Sequence, residues 1–499
     1  MTTPAFVRVG VVAWALVRAD ALLPREIDHH LSPGVRWGAR LLRLLSGRTA
    51  LSGRPGERLA LVLERQGPVA IKLGQFLATR GDVFGTAFAS DVARLQDRLA
   101  PFPTATARAA VERALGASVE THFSRFDDAV AAASLAQVHR AALHDGREVA
   151  VKVLRPDIEA HVATDARVLI WLGDAAHALI PAARRLEPRA FVATVRRALE
   201  LELDLRFEAA GADELREAMA DDGYMRSPKV VWDGVARRVL TLEWADGAAL
   251  SDAATLDRPG LDRRALATNL IRAFLAQALD HGVFHADLHE GNLFVDDAGR
   301  LIAIDFGIIG RLGHAERRFL AEILWGFIRR DYVRLADVHF DAGYVPPDQD
   351  RAAFAQALRA VGEPVVGRAV ADVSMSRLLT QLFEITALFN MRLRPELVLL
   401  QKTMVTVEGV ARRIDPEHDI WASAEPVVRR WITRELSPVA RLATFVDEVR
   451  AISANLARLA ALPPLTAPAA PGKPHAAPWA FALGALVSAL AFALAAMLR

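Results

Sequence analysis

The tightest constraint on how this chain can fold is a pair of acidic motifs separated by a short apolar stretch. His285-Ala286-Asp287-Leu288-His289-Glu290-Gly291-Asn292 leads into 293–295, a turn at Asp296-Asp297-Ala298-Gly299, a second apolar run at 301–304, and then Asp305-Phe306-Gly307. The two runs read as the arms of a hairpin. Asn292 and Asp305 offer hard oxygens of the kind that hold Mg2+ against phosphate groups, and Asp287 is placed to orient or deprotonate an attacking hydroxyl or water. Turn-forming Asp and Asn in a polar hairpin account for either half alone, but poorly for both together.

An Asp with an Asn five residues on, followed by a second Asp before Phe-Gly, is the arrangement protein kinases use. Upstream, Val149-Ala150-Val151-Lys152-Val153 sets one lysine in an otherwise apolar strand, where an unpaired ammonium is costly to bury. It needs anionic partners, either nucleotide phosphates or a helix carboxylate. The segment Glu202-Leu203-Asp204-Leu205-Arg206-Phe207-Glu208 reads as one helix, with Asp204 and Glu208 on a shared face and Glu202 pointing elsewhere, so that it can serve two cations. A solvated acidic face explains the spacing equally well. Where a kinase carries its Gly-rich loop, this chain has Ala131-Ala132-Ala133-Ser134, whose Cβ atoms stiffen the loop. Near the N-terminus, Gly67-Pro68 opens a helix containing Lys72-Leu73-Gly74-Gln75, with Val69, Leu73, Phe76 and Leu77 on its apolar face.

On these motifs the chain resembles the UbiB family of atypical kinase-like ATPases over roughly residues 5–460. The resemblance implies an α+β, bilobal protein-kinase-like fold. Its expected parts are an N-terminal helical extension at 1–115, a small lobe with a helical insertion at 116–245, a large lobe at 246–345 and a C-terminal helical region at 346–461. It also implies pairing of Lys72 with Glu202, over the active site, and of Lys152 with Glu208. The catalytic set is then Asp287, Lys152 and Lys72, and the metal set Asn292 and Asp305. ATP contacts fall to Ala131, Ala132, Ala133, Ser134, Lys152, Glu202, Asp204, Glu208 and Glu243. ATP and Mg2+ are the implied cofactors. Ala129 and Glu290 stand where the family usually has proline, and Gly211 where it has asparagine, with small effects on loop rigidity expected.

The elements between the motifs follow from periodicity: helices to about 125, strands at 130–155, long helices from 156 to 220, strands near 230–232 and Val239–Glu243, and helices again at 260–283 and 315–460. The N-terminal apolar run at 9–17 is too short to cross a bilayer. It reads either as an amphipathic helix on protein or lipid or as a core helix. Residues 476–498 carry no charge and are long enough to span, after a proline-rich linker at 462–475. The expectation is one C-terminal transmembrane anchor, where many relatives have two. It would hold a cytoplasmic body at the inner membrane and offer a small-residue stripe for a possible homodimer.

Lys+Arg 61 against Asp+Glu 59 argues against a nucleic-acid partner, and Cys 0 removes disulfides and thiolate chemistry. After Asp305-Phe306-Gly307 the chain enters a helix with no Ala-Pro-Glu string, leaving a protein substrate little platform. Ala286 replaces the arginine that reads a phosphorylated activation loop. The leading expectation is a membrane-anchored ATPase that handles polyprenyl-phenol intermediates alongside ubiquinone biosynthesis enzymes. Phosphoryl transfer to a small molecule or protein, and a nucleotide-binding scaffold, are the alternatives. Without a Gly-x-Gly-x-x-Gly strand turn or an iron triad, hydroxylase chemistry lacks a cofactor site.

Overall fold

Alternation along one strand organises the small lobe. In the computed structural model, which describes residues 5–21, 33–45, 53–78, 86–92, 95, 100–179, 188–366, 388–391 and 395–435, strand β3 (Glu148–Leu154) buries Val149, Val151 and Val153 completely. These valines meet Val111, Val119, Phe123, Ala141 and Val239 in one apolar cluster. The period of two sends Lys152 to the opposite face. Strands β1 (Arg125–Ala132), β2 (Ala136–Ala142), β3 and β5 (Val239–Glu243) form an antiparallel sheet in that order, with Lys152 opposite Val138 and Leu240.

The N-terminal extension supplies α1 (Ala5–Arg18), α2 (Pro33–Leu45), α3 (Pro55–Gln66), α4 (Pro68–Ala78), α5 (Thr86–Val92), α6 (Thr104–Leu115) and the short α7 (Val119–His122). Helix α1 packs Leu16 against Val62 of α3 while Val11 and Trp14 stay exposed, so it is half-packed rather than a core helix. Helices α8 (Ile158–Leu179), α9 (Pro188–Glu202) and α10 (Leu205–Ala218) follow β3.

Two expectations change here. The segment 202–208 is not one helix: it breaks after Glu202, and Asp204 becomes the N-cap of α10, accepting from Arg206 N at 3.2 Å. A short acid that can bond the backbone two residues on competes with helix continuation, and Asp204 therefore does not share a helical face with Glu208. The strand expected near 230–232 is a single bridge from Val230 to Leu242, followed by a tight turn at Trp232–Gly234. Thr241 Oγ1 donates to Gly234 O at 2.9 Å and draws that turn onto β5.

The large lobe is built on α12 (Arg263–Ala276), preceded by the single-turn α11 (Ala253–Leu256) and buried along most of its length. Strand β7 (Val283–His285) pairs with β10 (Ile309–Arg311), and β8 (Leu293–Val295) with β9 (Leu301–Ala303), forming the expected hairpin. Strands β4 (Met225–Arg226) and β6 (Ala248–Ala249) flank that hairpin. Gly310 lies opposite Phe284, and any Cβ there would overlap the Phe284 ring. Helices α13 (His314–Arg329), α14 (Tyr332–Asp341), α15 (Arg351–Val366), α16 (Pro395–Ile414) and α17 (Ile420–Glu435) complete the described chain, and α16 lies along α12. Residues Met1–Arg434 form one unit. The linker at 462–475 and the run at 476–498 lie outside the described residues, as do the homodimer contacts expected of that run. Among the described residues no helix is long and apolar enough to cross a membrane.

One buried group gives the fold a pH signature. His339 on α14 bonds Leu335 O through Nδ1 at 2.7 Å and sits against the rings of Phe354 and Tyr344. Burial lowers its pKa from the ordinary 6.5 to about 4. Between those values the unfolded chain binds more protons than the folded one, so stability falls as pH drops through the window, by up to about 3 kcal/mol from this residue. Denaturant unfolding at pH 7 and pH 4.5 is expected to show that loss, and His339→Gln to reduce it. Equal pH dependence in wild type and variant would contradict the assignment.

Candidate nucleotide-binding and catalytic cleft

Lys152 stands on the face of β3 opposite the valine cluster and bridges two carboxylates from distant parts of the chain. Its Nζ donates to Glu208 Oε1 at 2.7 Å and Oε2 at 3.0 Å, and to Asp305 Oδ1 at 3.1 Å. Burial opposes the charge on Lys152, but Asp305 and Glu208 outweigh it and raise its pKa. Lys152 in turn holds Asp305 well below the usual carboxylate range against the effect of burial, and the charge of Lys72 adds to the pull. Glu208 is 8% exposed, and its burial pushes its pKa upward against Lys152. Asp305 stays half-exposed and takes a left-handed backbone conformation at φ 59°. For a non-glycine residue that conformation costs roughly 1–3 kcal/mol, and such costs cluster where a side chain must be aimed.

The loop at 285–292 is fixed by a buried histidine. His285 Nδ1 accepts from Asp287 N at 3.1 Å, so Nε2 carries the proton that it shares with Ile304 O at 3.1 Å. Burial lowers the pKa of His285 and keeps it neutral, as this pattern requires. Gln277 Oε1 accepts from His285 N at 3.0 Å. Asn292 Nδ2 donates to Asp287 O at 3.0 Å, and Ile304 N donates to Asn292 O at 2.9 Å. One hydrogen-bonded chain therefore sets Asp287, Asn292 and the residue before Asp305 in register. The same bond turns the Asn292 amide nitrogen toward Asp287 and its oxygen away from it. A carboxylate and an amide oxygen on adjoining segments suit Mg2+, so Asp305 and Asn292 fit as its protein ligands, and the ion would neutralise phosphate charge between them.

Helix α4 brings a second lysine. Lys72 Nζ lies 3.0 Å from Glu202 Oε2 at the end of α9, and its field reaches Asp305. Gly74 lets α4 seat closely, since a Cβ there would overlap Leu95 and press on Leu63. The alanine loop forms the β1–β2 turn, closed by Ala133 N to Ala136 O at 2.8 Å and by Arg155 Nε to Ala133 O at 3.0 Å. Ser134 is fully buried. Asp204 does not join the lysine cluster, because its carboxylate pairs with Arg206 at 2.6 Å and caps α10. Glu243 is exposed at the end of β5, where it accepts from Lys229 N at 3.3 Å.

Sequence reasoning missed the contribution of α16. Lys402 Nζ lies 3.6 Å from Asp287 Oδ1, Thr403 Oγ1 donates to Ala286 O at 3.1 Å, and Arg413 pairs with Glu290. Glu290 thus has an ionic partner across the fold, beyond the rigidity effect expected for it. The sequence carries only a weak signal for it: Lys402 lies in a polar triplet, Gln401-Lys402-Thr403, between the apolar runs 397–400 and 404–405, unlike Lys152, which stands alone in its strand.

With this geometry in place, comparison with known proteins is direct. The family model described as the ABC1 atypical kinase-like domain matches residues 94–339, and that described as the UbiB helical domain matches 358–419. A relative from Xylella fastidiosa strain 9a5c, called "Probable protein kinase UbiB", is 42% identical over 392 residues, which is 77% of this chain and 71% of that one. Its counterpart from strain M12 has the same identity and coverage. Among solved structures, "The complex structure of Rv3197-erythromycin from Mycobacterium tuberculosis" shares the fold with a TM-score of 0.51 at 22% identity, over 79% of this chain and 98% of that one.

The seating of α4 is open to test. Gly74→Ala is expected to cost about 1–3 kcal/mol of stability by overpacking against Leu95. Denaturant melts would measure it, and unchanged stability would show that α4 does not pack as described.

Proposed function

Because the chain belongs to the UbiB family of atypical kinase-like proteins, we propose that it is an ATPase supporting ubiquinone biosynthesis, turning over Mg-ATP while handling polyprenyl-phenol intermediates at the membrane. The observation that carries this reading is Lys152 held between Glu208 and Asp305, beside Asn292 and Asp287. In this reading Lys152 binds nucleotide phosphate, Asp305 and Asn292 hold Mg2+, and Asp287 orients the attacking water. The same reading sets the alanine turn beside the phosphates, with the fully buried Ser134 supporting that turn from behind, and assigns the exposed Glu243 to the base. Lys72, tied to Glu202 and close enough to act on Asp305, favours a small acceptor over a protein chain. So does β10, which runs through Leu312 and Gly313 straight into α13. The uncharged run at 476–498 supports attachment to the inner membrane.

Phosphate release by the full-length protein, with and without anionic liposomes carrying a prenylated phenol, tests this. The expected result is Mg2+-dependent turnover stimulated by the lipid mixture and reduced about 100-fold or more in Asp305→Asn, since the variant removes a charged metal ligand. Equal release from wild type and variant would overturn the proposal.

A further inference from the structure

Asp287 meets a cation that its own loop does not provide. Of its two carboxylate oxygens, Oδ2 lies 3.7 Å from His289 Nε2 and Oδ1 lies 3.6 Å from Lys402 Nζ. Both separations exceed hydrogen-bond length, leaving these groups arranged around the carboxylate without closing on it. The other two lysines of the cleft are engaged elsewhere, Lys152 with Glu208 and Asp305 and Lys72 with Glu202. Lys402 is 38% exposed at its side chain, so its ammonium stands at the open edge of the site. Its position is fixed from below: the next residue, Thr403, is buried and donates to the carbonyl of Ala286, adjacent to Asp287. The middle of α16 is thereby bonded to the loop at Ala286, and its C-terminal end to the same loop at Glu290 through Arg413.

We propose that Lys402, delivered by α16 to the carboxylate of Asp287, is a catalytic residue that neutralises the phosphoryl group in flight. The proposal rests on the ATPase reading above and adds a residue to it. In the step, the water oxygen bonds to the γ-phosphorus as the bond from that phosphorus to the bridging oxygen breaks. The electron pair leaves on the diphosphate, and the water proton passes to Asp287. Negative charge is shared by the equatorial phosphoryl oxygens throughout, and a cation beside the carboxylate that holds the water is well placed to meet it. Lys152 stabilises the nucleotide end of the same cleft, so the two lysines act on opposite sides of the bond that breaks. The C-terminal helical domain is then part of the catalytic apparatus.

The test is steady-state phosphate release by full-length wild type, Lys402→Met, Lys402→Arg and Thr403→Val, with thermal melting and nonhydrolysable-nucleotide affinity measured alongside. Lys402→Met is expected to lower kcat about 10²–10³-fold, the size of a lost transition-state contact, with nucleotide affinity changed less than about threefold. Lys402→Arg is expected to stay within about tenfold of wild type, since it restores the charge. Thr403→Val releases the helix without touching that charge, and is expected to lower the melting temperature more than kcat. A Lys402→Met enzyme within about threefold of wild type overturns the proposal and leaves the ATPase reading standing. A loss matched by Thr403→Val, or one that arginine does not relieve, overturns it in favour of a tether. A wild type that binds Mg-nucleotide but releases no phosphate removes both readings together.

Discussion

A lysine ammonium with little access to water must find negative charge or cost the fold several kcal/mol, and Lys152 finds it twice. Its two partners come from elements far apart in sequence: Glu208 lies in the first turn of α10 and Asp305 at the end of the β8–β9 hairpin. Meeting both requires the small lobe, the helical insertion and the large lobe to be assembled at once. The valines on the other face of β3 anchor the strand in its own core, so the position of the ammonium is set by packing. The same ammonium keeps Asp305 ionised. One ion cluster therefore joins the lobes and prepares the proposed metal-binding carboxylate.

Around this centre, segments outside the kinase core press inward from two sides. From the N-terminal side, α4 carries Lys72 to Glu202, seated through Gly74 against α3 and the segment at Leu95. From the C-terminal side, α16 lies on the loop at 286–290 through Lys402, Thr403 and Arg413. In the proposed ATPase these additions leave limited room at the acceptor side of the cleft, which suits water or a small lipid head better than a folded protein.

Much of this was legible in the sequence wherever the determinant is local. The strand alternation around Lys152, the hairpin between Asn292 and Asp305, and the direct passage into α13 all follow from period and turn chemistry within a few residues. What was not legible depends on competition or distance. At 202–208, helical spacing suggested one helix, but Asp204 has a better use for its carboxylate as a cap. Near 230–232, β-propensity was outweighed by a glycine turn packing on Thr241. The lysine of α16 meets Asp287 across more than 100 positions, and no periodicity reports such a contact. The resemblance to a family supplied the Lys72–Glu202 pairing, which spacing alone left open.

The central claim is that the Lys152–Glu208–Asp305 cluster, with Asn292, forms a cleft for a magnesium-bound nucleotide. Calorimetric titration of a nonhydrolysable ATP analogue into the full-length protein, with magnesium and then with chelator, tests it most directly. The account predicts saturable binding near one nucleotide per chain that weakens at least tenfold without the ion. A flat titration in excess magnesium, or binding indifferent to the ion, would contradict it.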